Sequence, residues 1–414
     1  MPELSLFIVF GLAAGLYMAW TIGANDVANA MGTSVGSKAL TLTSAVVVAA
    51  VFEFSGAFFA GGRVAGTIKG DVVNLSAFAA DNHVVAVGML SALIAAAMWL
   101  HIATWRGWPV STTHSIVGAV AGFGLIAGGF GTVRWLVIGK IVVSWVISPV
   151  IGGAMAWLLF SIMRRAVFRS DSPAARARVV TPIFIGAVGF VLTLSMIYKG
   201  LQNLNLDLPF FTALMYAILV GIVAYGLGAL ILSLRPIARG TIETERAAIE
   251  GQFRYLQIIT ACYVAFAHGS NDAANAVGPM AAVLTSHQTI AVSDVVEIPV
   301  WVMALGGFGI VLGLATYGYR VIHTIGSKIT EVTPSRGFVM EFATATTVLL
   351  GSKLGLPVST THILIGAVIG VGMARGMAAL NMSMVKQIAS SWVITVPVSA
   401  VLAAIVFRVL ILFL

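Results

Sequence analysis

Gly23-Ala24-Asn25-Asp26-Val27-Ala28-Asn29-Ala30-Met31-Gly32 is repeated 246 residues later as Gly269-Ser270-Asn271-Asp272-Ala273-Ala274-Asn275-Ala276-Val277-Gly278. Pro109-Val110-Ser111-Thr112-Thr113-His114 returns unchanged as Pro357-Val358-Ser359-Thr360-Thr361-His362, 248 residues on. Ser144-Trp145-Val146-Ile147 matches Ser391-Trp392-Val393-Ile394 at a spacing of 247. Three matches in one order at a nearly constant spacing mean internal duplication. The period is half the chain, far too long for a solenoid, so the duplicated unit is a bundle of helices rather than a stacked repeat.

The surroundings of these motifs are apolar. Of 414 residues 59% are hydrophobic and only 9% charged, and the mean hydropathy is +1.01. Soluble domains run near 45–50% apolar and about 25% charged. So few charges cannot cover a water-soluble particle, which excludes a soluble enzyme, a nucleic-acid binder and a disordered chain together. The net charge of +8 belongs to topology rather than to a nucleic-acid partner, because basic residues collect in cytoplasmic loops. Lone Cys262 excludes an intrachain disulfide.

Apolar stretches lie at about 4–31, 42–62, 84–103, 113–131, 133–163, 179–198, 209–234, 253–278, 293–318, 338–352, 357–379 and 386–414. At about 20 residues per span these predict an all-α polytopic membrane protein of about 12 transmembrane helices. Two arginine-rich loops, Arg164 to Arg178 and Arg235 to Arg254, are separated by two apolar stretches and so share one side, taken as the cytoplasm. Sixteen of the 23 basic residues then fall inside, among them Arg239, Arg320 and Lys328, and both termini fall outside a cell membrane. Five crossings in the first copy and two linking helices make seven, an odd number, so the second copy enters the membrane upside down. The expected organisation is a first inverted repeat over 1–163, two linking helices with a short cytoplasmic loop over 164–252, and a second repeat over 253–414, with broken or re-entrant helices at the midplane.

A carboxylate at membrane depth is costly and is by default a functional hypothesis. Asp26 and Asp272, at equivalent places in two copies, are weighed above the bland alternative of a buried Asp bonded to a neighbouring hydroxyl. With Asn25, Asn29, Asn271 and Asn275 they form a hard oxygen site suited to Na⁺ or, by protonation, H⁺. Small neighbours are expected to let the backbone unwind there and expose carbonyls. In the second motif Pro disfavours helix before it and Ser is a preferred N-cap, so helices are predicted to start near Ser111 and Ser359. Each start offers free N–H groups, hydroxyls and the positive end of the helix dipole, which suits a tetrahedral oxyanion. Ser111, Thr112, Thr113, Ser359, Thr360 and Thr361 are the candidate anion cradle; ordinary capping is the competing reading. An anion held by neutral donors beside two Asp carboxylates would be repelled unless each carboxylate carried a cation. Coupled cation–anion symport follows from the charges.

Glu53 and Glu341, deep in apolar stretches, are read as transport-critical or as satisfied buried acids, and His268 as a structural His or one that tunes protonation near the second Asp. His114 and His362 read as early-turn residues orienting their loops. The pairs Gly118/Gly122 and Gly366/Gly370 are assigned to helix packing, and Trp99, Trp105, Trp108 and Trp135 to interface anchoring.

The duplicated signature and the paired Pro-Val-Ser-Thr-Thr-His segments resemble the inorganic phosphate transporter (PiT) family over essentially the whole chain. The resemblance implies a twelve-helix inverted-repeat transporter that moves phosphate with Na⁺ in many members and H⁺ in others, and that is dimeric. It places Asn25, Asp26, Asn29, Asn271, Asp272 and Asn275 at cation-site positions, the six Ser and Thr residues at phosphate-site positions, and Glu53 and His268 at positions tied to transport. The chain departs from the animal members in its central loop of about 20 residues, which is much shorter. The expected function is Na⁺-coupled phosphate symport, with inorganic phosphate, Na⁺ and the lipid bilayer as partners. H⁺-coupled phosphate or sulfate transport is the alternative within the class, and a passive anion channel or a membrane phosphate-handling enzyme are the alternatives outside it. A channel needs no carboxylate pair, and no P-loop, metal set or nucleophile–base pair supports an enzyme.

Overall fold

In hydrocarbon the backbone must satisfy its own polar groups, so long apolar runs become helices. The computed structural model describes residues 2–78, 81–200, 208–237, 240–286, 298–319, 321–322, 331–376 and 381–414. Arg239, Arg320 and Lys328, used above as topology markers, lie outside the described residues, as does part of the stretch at 293–318. The described chain is helical apart from one isolated antiparallel bridge between Val73 and Val133. Its helices are α1 Pro2–Gly36, α2 Leu42–Ala60, α3 Gly62–Gly70, α4 Asn82–Trp105, α5 Thr112–Gly128, α6 Trp135–Met163, α7 Pro173–Ser195, α8 Phe210–Leu234, α9 Ile242–Asp272, α10 Ala274–Ser286, α11 Val300–Thr316, α12 Pro334–Lys353, α13 Thr360–Arg375 and α14 Met382–Leu410. Among the described residues seven helices are long and apolar enough to cross a membrane, and α5, α11 and α13 are shorter apolar helices. The chain is therefore a polytopic membrane protein.

Each predicted stretch coincides with a helix, with two refinements. The stretch at 42–62 ends at Gly61, after which the short α3 turns away. The stretch at 253–278 is divided at Ala273, and α9 begins well before it, at Ile242, with a polar first turn carrying Glu243 and Glu245.

The interior is built by helices that cross at glycine. A Cβ at Gly23 of α1 would strike the Ile310 carbonyl of α11, and one at Gly313 of α11 the Trp20 carbonyl of α1. Gly56 of α2 and Gly269 of α9 meet the Phe266 and Glu53 carbonyls in the same reciprocal way. Gly118 and Gly122 of α5 lie on Val396 and Ala400 of α14, while Gly366 and Gly370 of α13 lie on Pro149 and Gly153 of α6. Close backbone approach of this kind is the main source of helix association in lipid, and it bears out the packing role assigned to the two glycine pairs. In every crossing one helix comes from each half of the chain. Replacing each helix by its repeat counterpart turns α1 on α11 into α9 on α2, and α5 on α14 into α13 on α6. α7 and α8 pair with each other through Gly186 and Gly221 and reach the bundle through α7 on α9.

Two expectations are corrected. Trp99 is no interface anchor: it is buried between α4 and α14, its indole N–H donating to Thr395 Oγ1 at 3.3 Å. The backbone does not unwind at the first signature, because α1 runs unbroken through Asp26 to Gly36. Alanine, Asn and Asp fit a helix interior, so oxygen ligands there come from side chains. In the second copy the helix is interrupted at Ala273 alone.

Substituting Gly370→Val should destabilise the protein by about 1–3 kcal/mol, the cost of overpacking, because its Cβ would press on the Gly153 backbone. Gly139→Ala, in open space on α6, should be neutral or slightly stabilising. Thermal unfolding of the two purified variants checks this; equal loss in both would refute the crossing as the reason.

Candidate substrate and cation site

The two Pro-Val-Ser-Thr-Thr-His segments end in helix starts. Ser111 and Ser359 are extended N-caps whose hydroxyls accept from the His114 and His362 backbone N–H groups, each at 3.2 Å. Both capping residues are buried, so α5 and α13 begin in the protein interior. The capping reading of these serines is therefore true, and it coexists with an anion-site reading because each remaining hydroxyl proton is free to donate.

The motifs of one copy meet those of the other. Asn29 Nδ2 donates to Thr361 Oγ1 at 2.8 Å and to Asp26 Oδ1 at 3.1 Å. Asn275 Nδ2 lies 3.2 and 3.3 Å from the Thr112 and Thr113 hydroxyls and 3.1 Å from Asp272 Oδ1. The Thr112 hydroxyl is 2.8 Å from Asp26 Oδ2 and 3.2 Å from Asp272 Oδ1, and Thr113 is 3.3 Å from the same Asp272 oxygen. One hydroxyl has one proton, so Thr112 serves the two carboxylates in turn. Thr360 joins through a longer contact to Asn29 at 3.5 Å.

Asn25 and Asn271 have a different task. Asn25 Nδ2 donates to Thr104 Oγ1 and to the Trp108 carbonyl at 2.9 and 3.1 Å. Asn271 Nδ2 donates to the Val358 carbonyl at 2.8 Å, and its Oδ1 accepts from Ser352 at 3.1 Å. Each fastens the loop that precedes a cradle helix. Thr104 and Ser352 occupy equivalent places in the two copies, 248 residues apart, and that spacing is the signal in the sequence that marks them.

His268 lies at the centre. Its Nε2 is 3.3 Å from Asp272 Oδ2 and 3.7 Å from Asp26 Oδ2, and its Nδ1 is 3.3 Å from Glu53 Oε1. All four side chains are buried. Asp26, His268 and Asp272 can each turn one ligand atom toward a common point. Around them the oxygens Asn25 Oδ1, Asn29 Oδ1, Asn275 Oδ1 and Asp272 Oδ2 are buried with no hydrogen-bond donor. Buried acceptors without donors are rare, and a set of them beside carboxylates is what a hard monovalent cation requires.

A family model for phosphate transporters matches residues 22–403. The chain belongs to the phosphate transporter family. It is 45% identical to a putative phosphate permease of Pyrococcus horikoshii, across 98% of both chains. It is also 45% identical to a chloroplastic inorganic phosphate transporter of Arabidopsis thaliana, over 95% of this chain and 70% of that one. Among solved structures it resembles one described as the sodium-dependent phosphate transporter, with 41% identity, a TM-score of 0.91, and coverage of 99% of this chain and 100% of that one. The family resemblance carried by the duplicated motifs thus extends over the whole chain, and it places the chain among transporters rather than enzymes.

Within this family member Glu341 stands apart from the His268 cluster. Its Oε1 accepts from Thr33 and Ser34, each at 2.7 Å, and from Gln257 at 3.1 Å; its Oε2 accepts from Thr260 at 2.7 Å. The nearby Thr344, Thr346 and Thr347 take no part, since each donates to a carbonyl one turn back in α12. Gln257, an uncharged polar residue inside an apolar stretch, was the overlooked signal for this network.

The two histidines tie the cradle starts across the copies. His114 stacks against Trp145 and its Nδ1 faces the Trp392 carbonyl, while His362 stacks against Trp392 and its Nδ1 faces the Trp145 carbonyl.

Glu341→Leu should cost roughly 2 kcal/mol or more, because it strands buried donors on two other helices, α1 and α9. Thr347→Val, which removes a bond to the Ala343 carbonyl of its own helix, should cost far less. Detergent-solubilised unfolding curves test the contrast, and similar losses would show that the network adds no stability.

Proposed function

We propose that the chain is a secondary active transporter that carries inorganic phosphate together with Na⁺ by alternating access. The observation that carries this reading is the convergence of both Asp residues and both Ser-Thr-Thr segments, joined through the Thr112 hydroxyl. The likeness to a solved sodium-dependent phosphate transporter supports the same reading.

The charges give the order of events. The carboxylates of Asp26 and Asp272, charged side by side, would repel phosphate. Two Na⁺ ions, one at Asp26 with Asn25 and Asn29 and one at Asp272 with Asn275, cancel them. In this reading Asn271 acts mainly by holding the loop of α13 in place. With the carboxylates neutralised, the hydroxyls of Ser111, Thr112, Thr113, Ser359, Thr360 and Thr361 and the N-termini of α5 and α13 receive the anion. Partners now shared between Thr and Asp would be exchanged for phosphate oxygens, so the anion and the cations bind as a unit. His268 also offers a place for a proton, so H⁺ in place of one Na⁺ is the second reading.

The reciprocal helix pairings favour two inverted repeats, over 1–163 and 253–414, with 164–252 as the link, about 12 crossings, α5 and α13 as re-entrant elements and both termini outside. In such a plan the site lies between the repeats and the two gates exchange roles.

Uptake of labelled phosphate into proteoliposomes should be concentrative under an inward Na⁺ gradient alone. Uptake indifferent to both Na⁺ and pH gradients would end the symport reading, and drive by pH alone would select the proton. Asp26→Asn and Asp272→Asn should each weaken Na⁺ dependence in protein that still folds. Ser111→Ala with Ser359→Ala should raise half-saturating phosphate by about a hundredfold or more, the effect of losing two hydrogen bonds to a charged ligand; an unchanged value would remove these serines from the cradle.

A further inference from the structure

The helix ends beside the arginine-rich loops enclose a second polar cavity of about 280 Å³, close to the lower size of small-molecule sites. Its walls carry four guanidinium groups: Arg164 where α6 passes into the π turn Arg164–Phe168, Arg246 on α9, Arg336 at the start of α12 and Arg375 at the end of α13. Two carboxylates oppose them, and both are engaged in particular ways. Glu250 is spent on the N-terminus of α12, accepting from the Ser335 N–H and hydroxyl, each at 2.8 Å. Glu331 lies at the rim with its side chain 76% exposed, 3.1 Å from Arg336 and 3.4 Å from Arg375, whose side chains are only 20% and 21% exposed. Arg336 holds the Glu331 carboxyl below its usual range, so it stays an anion at neutral pH.

The remaining positive charge has no such match. Arg164 donates to the Ala374 carbonyl, and among the described residues neither it nor Arg246 has a carboxylate within ion-pair distance. Among the described residues, Arg164 and Arg246 leave this cavity, which four guanidinium groups line, with more positive charge than Glu250 and Glu331 offset. Planar forks of this kind bind phosphoryl oxygens in pairs.

We propose that this cavity binds a phosphoryl oxyanion, separate from the buried cation and anion site. Glu331 holds Arg336 and Arg375 in place until the anion's oxygens take over its role. The same chemistry is offered by an anionic lipid headgroup and by a soluble phosphate compound. Either would clamp the ends of α6, α9, α12 and α13. α9 carries His268 and Asp272, and α13 carries Thr360 and Thr361, so the bound anion would restrain two helices that carry residues of the buried site.

The full-length protein in neutral detergent is titrated with short-chain phosphatidylglycerol in one arm and with inorganic pyrophosphate in the other, following thermal unfolding. At least one probe should stabilise the protein, and Arg246→Ala should weaken that response by about tenfold or more, the loss of one charge-assisted contact. Should Arg246→Ala fail to fold, Arg336→Gln serves the same purpose. A response to the lipid alone assigns a headgroup, and a response to pyrophosphate alone assigns a soluble ligand. Stabilisation by neither probe, or an unchanged affinity in the variants, overturns the proposal. Because the readout is binding rather than uptake, its failure is distinct from failure of the transport reading.

Discussion

Removing a carboxylate from water into a low-dielectric interior costs several kcal/mol per ion even after relaxation. Four acids, Asp26, Glu53, Asp272 and Glu341, are buried here, and the architecture is organised around meeting that cost without lysine or arginine. Neutral donors must therefore be brought close from many directions, and a single helix cannot supply them. The crossings at Gly23, Gly56, Gly269 and Gly313 bring α1, α2, α9 and α11 near enough for the side chains of both halves to share one space. The interior starts of α5 and α13 add hydroxyls and helix N-termini to it.

The four acids divide by how completely this is done. Glu341 receives four hydrogen bonds from α1 and α9, and both of its oxygens are used. In the other cluster, among the described residues, neither Glu53 oxygen nor Asp272 Oδ2 has a hydrogen-bond donor, the His268 imidazole lies 3.3 Å from Glu53, and three Asn carbonyl oxygens face no donor at all. A closed network holds helices together. An open one, rich in acceptors and poor in donors, is unstable by itself and becomes stable when positive charge arrives. On the proposed reading, that difference, more than burial, separates a carboxylate that supports the fold from one that works on cargo.

Duplication made much of this readable in the amino-acid sequence. The Asn-Asp signatures, the helix starts at Ser111 and Ser359 and the packing glycines each rest on local chemistry seen twice. What could not be read is which copy meets which. Asn29 reaches Thr361 across more than three hundred residues, and Asn275 reaches Thr112 and Thr113. Such partners follow from helix crossing, which hydropathy does not encode. For the same reason Trp99 looked like a membrane-interface residue when its partner was Thr395 on α14. Gln257 and Ser34 drew no notice because neither carries charge, and their importance comes from the single acid they share.

The places where the copies differ are as informative as those where they agree. His268 stands opposite Ile22 in the repeat, Glu53 opposite Ile310 in the reciprocal crossing, and Glu341 opposite apolar residues near Leu93. Trp145 donates its indole N–H to the Pro357 carbonyl, whereas the indole nitrogen of Trp392 is buried without a partner. On the proposed reading, exchanging the conformations of the two repeats converts one open state into the other. Two identical copies would make those states equal in energy, and cargo would bind both alike. A ligand shifts such an equilibrium only through its different affinity for the two states. Of the charges that break the symmetry, Glu53 and His268 lie beside Asp26 and Asp272, so on the proposed reading the cations bind where the two states differ.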